Sequence, residues 1–195
     1  MNKILSNIPD KRIDKNTTSL RFKQDVIIFF TEYMQLDSCI EVGTSYGYST
    51  HVLSHIFKNV TTIDININHI EKAKAFNADR TNINYLLGDS TGTDWNLDEK
   101  FDVAFIDADH SYKAVVRDIQ QCISVGKPDM YIIFDDYGLP EQAPAVKQAV
   151  DEYIANGTLT IIKYIGEPAG SEPRIGRPLV DWEGIITKVK HNANI

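Results

Sequence analysis

Apolar positions along the chain switch repeatedly between two periods. Short continuous apolar runs at Ser38–Val42, Val60–Ile63, Ile83–Leu87, Phe101–Ile106, Met130–Phe134 and Leu159–Ile165 have the length of strands. Between them, apolar residues recur at helical spacing over Tyr48–Phe57, Ile67–Ala78, Tyr112–Val125 and Pro144–Ala155. A further helix is expected from Thr17 or Thr18, either of which is a capping residue, to about Gln35. It turns Leu20, Val26, Ile27, Phe30 and Met34 toward the core. Pro144 suits the first turn of its helix, where a missing N–H costs little. No repeat or low-complexity segment interrupts the pattern.

Strands that alternate with helices and read as unbroken apolar runs indicate a parallel sheet covered on both faces. The tail departs from this. A polar, Gly/Pro-rich loop over Gly166–Asp181 precedes a last strand, Gly184–Lys190, with no helix between. A connection without a crossover helix implies an antiparallel pair. The expected fold is therefore α/β, with a mostly parallel sheet and one antiparallel strand near an edge. Ligands of such sheets sit outside the carboxyl ends of the strands.

The bulk properties narrow the classes. A chain of 195 residues fits one compact domain, with residues 1–37 as an N-terminal helical segment and 38–195 as the main body. A formal charge of −7 argues against a nucleic-acid partner, whose phosphates call for a basic surface. Cys39 and Cys122 lie in apolar contexts without metal-binding spacing and read as reduced, buried thiols. Met1–Asp10 lacks a charged start followed by a long apolar run, and no stretch is long enough to span a bilayer. A soluble, cytoplasmic protein with no membrane contact is expected.

Candidate chemistry falls at strand ends. Glu41-Val42-Gly43-Thr44-Ser45-Tyr46-Gly47-Tyr48-Ser49-Thr50 joins the first strand to a helix. Its glycines let backbone N–H groups approach a ligand at a helix start. Glu41 would repel a phosphate, so the turn suits a ligand with positive charge or hydroxyls. A nicotinamide dinucleotide is disfavoured because the spacing is not G-x-G-x-x-G, and a P-loop is excluded. Asp64 ends the second strand, where an acid commonly accepts hydrogen bonds from ribose hydroxyls; the other reading is a helix N-cap. Gly88-Asp89-Ser90 follows the third strand as a receiver for an exocyclic amine, or as a plain turn. Asp107 closes the fourth strand, and Asp135 and Asp136 the fifth. Three carboxylates on one rim repel one another unless a cation or protons intervene, and oxygen-only ligands suit Mg²⁺.

Together these motifs resemble class I S-adenosylmethionine-dependent methyltransferases, over roughly Ser38–Ile165. The resemblance implies a Rossmann-like, seven-stranded sheet with an antiparallel last strand and helices on both faces. It implies that Gly43, Thr44, Gly47, Tyr48 and Ser49 border the methionine part of S-adenosylmethionine, with Glu41 near its cationic groups. Asp64 would hold the ribose, Asp89 and Ser90 would border the adenine, and Asp107 would adjoin both cofactor and metal. Asp-Ala-Asp-His-Ser-Tyr and Phe-Asp-Asp-Tyr are similar to the macrocin and cephalosporin-biosynthesis O-methyltransferases, and more distantly to the catechol and caffeoyl-CoA type. In those, Mg²⁺ held by residues at the positions of Asp107, Asp135 and Asp136 activates a hydroxyl. Where the catechol-type enzymes carry an amide, this chain has Asp136, and His110 stands at their lysine.

The expected activity is Mg²⁺-assisted O-methylation of a small-molecule or sugar hydroxyl, with His110 removing or relaying the proton. His110 as a plain helix-start residue stays open, as do a metal-independent transfer to nitrogen or carbon and a non-catalytic cofactor-binding module. His51 and His55 have helical spacing for a shared metal but lack a third ligand. Tyr46 and Tyr48 read as packing residues or cofactor neighbours, Trp95 as lid or core. Arg174 and Arg177 in the tail loop either meet an anionic acceptor or offset an acidic surface. The N-terminal segment either covers the acceptor or makes a homodimer contact.

Overall fold

A computed structural model describes residues 2–10, 17–32, 36–92, 95, 97–141 and 143–190. The elements in chain order are α1 (Asn2–Leu5), α2 (Leu20–Glu32), β1 (Ser38–Val42), α3 (Tyr48–Ile56), β2 (Asn59–Asp64), α4 (Ile67–Phe76) and β3 (Ile83–Leu87). They continue with β4 (Phe101–Ile106), α5 (Tyr112–Ser124), β5 (Gly126–Phe134), α6 (Ala143–Ala155), β6 (Leu159–Ile165) and β7 (Gly184–Val189). The seven strands form one sheet in the order β3-β2-β1-β4-β5-β7-β6. β7 runs antiparallel to both neighbours, and the remaining pairs are parallel. The last strand thus inserts one place inside the edge, as a tail without a crossover helix requires.

Strand periodicity sorts the core into two layers. Cys39, Val103, Phe105, Ile133 and Ile186 face Phe22, Val26 and Phe30 of α2 and Leu53 of α3. Ile40, Val42, Ala104, Ile106, Ile132 and Phe134 face Val115, Ile119 and Cys122 of α5 and Val146, Ala149 and Val150 of α6. Both thiols are buried and free. Among the described residues, no helix is long and apolar enough to cross a membrane.

Two expectations shift. Ser19, not Thr17 or Thr18, caps α2: its Oγ accepts the Phe22 N–H at 3.0 Å. The Thr17 and Thr18 hydroxyls are taken by the buried Lys23 ammonium instead. The end expected for this helix near Gln35 lies outside the described residues. β5 begins at Gly126 rather than Met130, with a bulge opposite Phe101 and Val103 that accommodates Lys127, Pro128 and Asp129. α1 carries no sequence signal, being a single turn.

The parallel register brings the site together. Val42 pairs with Ile106 and Ile106 with Phe134. One residue further on, Asp107 N–H donates to Val42 O at 2.9 Å and Asp135 N–H to Ile106 O at 3.2 Å. Gly43 N–H reaches Ile63 O at 2.9 Å, and Gly88 N–H reaches Asp64 O at 3.0 Å. Gly43, Asp64, Gly88, Asp107 and Asp135 therefore share the carboxyl rim, astride the β1/β4 point where strand order reverses.

Candidate functional site

The rim opens into a cavity of about 480 Å³. Its wall includes Gly43, Asp64, Asp89, Ser90, Asp107, His110, Asp135 and Asp136 from the sequence reading. Gly43 is glycine of necessity: its φ is +97°, and a Cβ would lie 1.9 Å from Asp107 O. Gly47 is glycine for another reason. Its φ is +79° and a Cβ would sit 2.7 Å from Ala73 Cβ, so its bareness serves the packing of α4 and not the approach of a ligand.

Ser45 of the glycine turn also lines the wall, whereas Glu41, Thr44, Tyr46, Tyr48 and Ser49 stand behind it. Glu41 is fully buried; its Oε2 accepts the Thr50 hydroxyl at 2.5 Å and the Thr62 hydroxyl at 2.6 Å. Thr44 bonds Thr62 Oγ1 at 2.6 Å, and Glu41 Oε1 has no hydrogen-bond partner among the described residues. Burial pushes the Glu41 carboxyl up to about 8, against the two hydroxyls and with the help of the Asp107 and Asp64 charges. Tyr48 packs edge-on against Phe76 of α4, with Tyr46 beside it under the Lys72 ammonium. Ser49 faces Thr18 and Lys23 in a small cleft between α2 and α3. These side chains shape the turn from behind.

Asp64 is not the cap of α4, since Asn66 fills that role by accepting the Asn68 N–H at 3.0 Å. Its carboxylate accepts Ser45 N–H at 2.9 Å and Asn66 N–H at 2.8 Å and meets His69 Nδ1 at 3.2 Å. Asp64 thus ties the glycine turn to α4 while facing the cavity. The Asp89 Oδ1 accepts both the N–H and the hydroxyl of Thr91, which holds its carboxyl below the usual range. Beneath Ser90, burial pushes the Asp118 carboxyl of α5 up to about 6. Trp95 packs against the core on the α5 and α6 face, so it is no lid.

At the other end of the rim, ligand atoms of Asp107, His110 and Asp136 lie within 4.8 Å of one another. The sequence paired Asp107 with Asp135 and Asp136. Asp135 is buried and lines the cavity, but the close group substitutes His110 for it. His110 Nε2 is 3.2 Å from Asp136 Oδ2 and 3.6 Å from Asp107 Oδ1. Burial alone would lower the imidazole pKa. The adjoining Asp107 carboxylate and the charges of Asp136 and Asp135 outweigh it and push the group up to about 9. Asp136 has a left-handed backbone, φ +56°, as does Ser45, φ +47°; strain of this kind gathers at functional sites.

Thr17, Ser45, Ile65, His69 and Arg174 also line the wall. Of these, only Arg174 was a sequence candidate for ligand contact. His69 follows Asp64 by five residues, a local signal available in the sequence; Thr17 has none. Arg177 is instead engaged by Glu141 at the surface. His51 Nδ1–H donates to Asn77 Oδ1, 2.8 Å away, and the ring meets His55 edge-on, so neither forms part of the metal-ligand group.

The family described as a methyltransferase domain matches residues 40–137, half of the chain. No curated protein matches. Solved structures share the fold. The N-methyltransferase NodS from Bradyrhizobium japonicum WM9, in complex with S-adenosyl-L-homocysteine, superposes with a TM-score of 0.68 at 16% identity, covering 98% of this chain and 96% of that one. The O-methyltransferase TomG from Streptomyces achromogenes, involved in tomaymycin synthesis and in complex with SAM, gives 0.69 at 14% identity, covering 98% and 91%.

Proposed function

The chain belongs to the methyltransferase-domain family, and from that premise we propose that it transfers the methyl group of S-adenosylmethionine to a hydroxyl of a small molecule, with Mg²⁺ assisting. The observation that carries the reading is a shared wall: Gly43, Asp64 and the Asp107–His110–Asp136 group open on one cavity. Donor and acceptor then meet in a single space, which is what in-line transfer requires.

The donor lies along β1, β2 and β3. Asp64 keeps lone pairs for ribose hydroxyls beyond those its backbone donors use. Ile65, 71% exposed, and Ser90 offer the base an apolar and a polar edge. The bare α-carbon of Gly43 admits the methionine part, and Glu41 behind the turn, protonated near neutrality in the ligand-free fold, would supply negative charge toward its cationic groups once their approach displaces that proton. S-adenosylmethionine supplies the electrophilic methyl.

Asp107, Asp135 and Asp136 would hold the ion. The site fits a hard divalent cation: Asp107 and Asp136 lie within ligand distance of each other with His110 beside them, and the buried Asp135 lines the same cavity. A cation there lowers the pKa of a neighbouring hydroxyl. The Asp107 carboxylate and the Asp136 and Asp135 charges favour a protonated His110, and a cation that neutralised them would free its ring nitrogen to act as a base. His110 then accepts the hydroxyl proton as the acceptor oxygen bonds the methyl carbon and the carbon–sulfur bond breaks. Residues 1–37 would either cover the acceptor or make a homodimer contact, with 38–195 as the donor-binding domain. The acidic balance supports a small-molecule acceptor over nucleic acid, and the two free thiols support a cytoplasmic setting.

Calorimetric titration with S-adenosylhomocysteine, with and without Mg²⁺, tests the reading. Binding is expected, and its absence sinks the donor assignment. Unchanged turnover in excess chelator removes the metal and leaves the metal-independent transfer to nitrogen or carbon.

A further inference from the structure

Arg174 reaches the cavity from the loop after β6, on the side of the sheet away from β2 and β3. Its side chain is only 14% exposed. The loop fixes it there: Arg174 and Arg177 bridge across a tight turn, with Gly176 at φ +74° and Ile175 thrown outward at 81% exposure. Gly170 N–H to Leu179 O at 2.8 Å and Val180 N–H to Gly138 O at 2.9 Å seat the loop on the β5–α6 turn.

The guanidinium is poorly matched. Its one ion pair among the described residues is with Glu141 at 4.0 Å, and Arg177 holds that same carboxylate much more closely. The Arg174 Nε–H is buried and has no acceptor among the described residues. An arginine stays charged, and a buried donor without an acceptor is costly. Nε–H with one adjacent Nη–H forms the side-on fork that a carboxylate or phosphate fills with two parallel bonds.

Resting on the methyl-transfer reading above, we infer that Arg174 is a specificity residue, and that the acceptor carries an anionic carboxylate or phosphate group in addition to its reacting hydroxyl. The anion docks side-on against Arg174 and turns the hydroxyl toward Asp107, His110 and Asp136.

The test reads the atom itself. In isotope-labelled full-length protein saturated with S-adenosylhomocysteine and Mg²⁺, the Arg174 Nε–H resonance is assigned by its loss in Arg174→Gln. Inorganic phosphate and acetate are then titrated separately. A saturable downfield shift at Arg174, with the exposed Arg21 little moved, is expected for whichever anion the fork prefers. Matched acceptor probes follow, glucuronate against glucose and glycerol phosphate against glycerol. The anionic member of the favoured pair should bind about 10- to 100-fold more tightly, as a charge-assisted pair predicts, and lose that preference in Arg174→Gln. Arg174→Lys, which keeps charge without the fork, should recover only part of it and serves if the glutamine variant does not fold. Absence of a saturable shift, or an anion preference that survives in Arg174→Gln, overturns the inference. S-adenosylhomocysteine affinity stays at the wild-type level in both variants; if the wild type itself does not bind it, the methyl-transfer reading has failed, and the ion titration still decides the fork.

Discussion

Replacing Glu41 with glutamine should stabilise the ligand-free protein and weaken donor binding. Glu41 is fully buried, and burial raises its carboxyl from the ordinary 4.5 to about 8. Between those values the folded chain retains a proton that the unfolded chain has released. Stability is therefore lost as pH rises from the lower value, and the loss is complete above about 8. At roughly 1.4 kcal/mol per pH step, the cost near neutrality is roughly 3 kcal/mol. In Glu41→Gln the amide oxygen can accept the Thr50 and Thr62 hydroxyls as Oε2 does now. The amide nitrogen takes the place of the partnerless Oε1, at a cost of about 1–3 kcal/mol. The net gain should be about 1 kcal/mol near neutrality, larger by about 1 at pH ~8, and absent or reversed at pH ~5. Urea unfolding of both proteins across that range measures it, with calorimetry of S-adenosylmethionine giving an affinity loss that grows as pH rises toward about 8 and Glu41 takes up its charge. A stability difference that does not change with pH would refute the reasoning, because it would mean that Glu41 ionises in the fold as freely as in the unfolded chain.

Three further outcomes follow from the same geometry. Gly43→Ala puts a Cβ 1.9 Å from Asp107 O at a left-handed φ, and should cost about 3 kcal/mol or more as the β1–β4 seam parts; a loss under about 1 kcal/mol in chemical denaturation would contradict that close contact. His110, raised to about 9, adds stability that is full below its ordinary 6.5 and lost as pH rises through about 9. Its ring signals in NMR should titrate near the upper value and move to lower pH with Mg²⁺, whereas an unchanged midpoint would remove the ion from its neighbourhood. Lys23→Met removes the buried ammonium that holds Thr17 and Thr18, so amide exchange at Thr18 and Ser19 should rise with a stability loss of about 1–3 kcal/mol. Unchanged exchange would mean that the clasp between Ser19 and Glu183 suffices to hold the segment.

How much the sequence reveals depends on how local each feature is. The alternation of apolar runs and helical stretches is a property of neighbouring residues, so the seven strands and the inverted β7 were readable before any coordinates. Gly43, Asp64, Asp107 and Asp136 were readable for the same reason, as each ends an apolar run. Gly126–Asp129 was not, because Pro128 and Asp129 look like a turn, yet only the partner strand β4 decides that the pairing resumes beyond a bulge. The exchange of Asp135 for His110 in the close group depends on the left-handed turn at Asp136, which apolar patterning does not encode. Thr17 enters the wall through Lys23, Ser19 and Glu183, contacts that span up to 164 positions. Arg174 was visible as a loop cation, but its inward direction follows from the 174–177 bridge.

The features that cost this fold free energy are not spread evenly. Left-handed Ser45 and Asp136, the buried Glu41 and the unmatched Arg174 fork all border or back one cavity. The one other left-handed non-glycine among the described residues, Asp129, lies at the far end of β5 beside a bulge that accounts for it. A fold under no functional constraint relaxes such defects one by one, since single substitutions such as Glu41→Gln suffice. Their concentration on one rim means that each is relieved by something entering the cavity: positive charge near Glu41, a cation among the aspartates, an anion at Arg174. Ligands that supply these charges should then raise stability together by more than the sum of their separate effects, since each discharges a group that the next one feels.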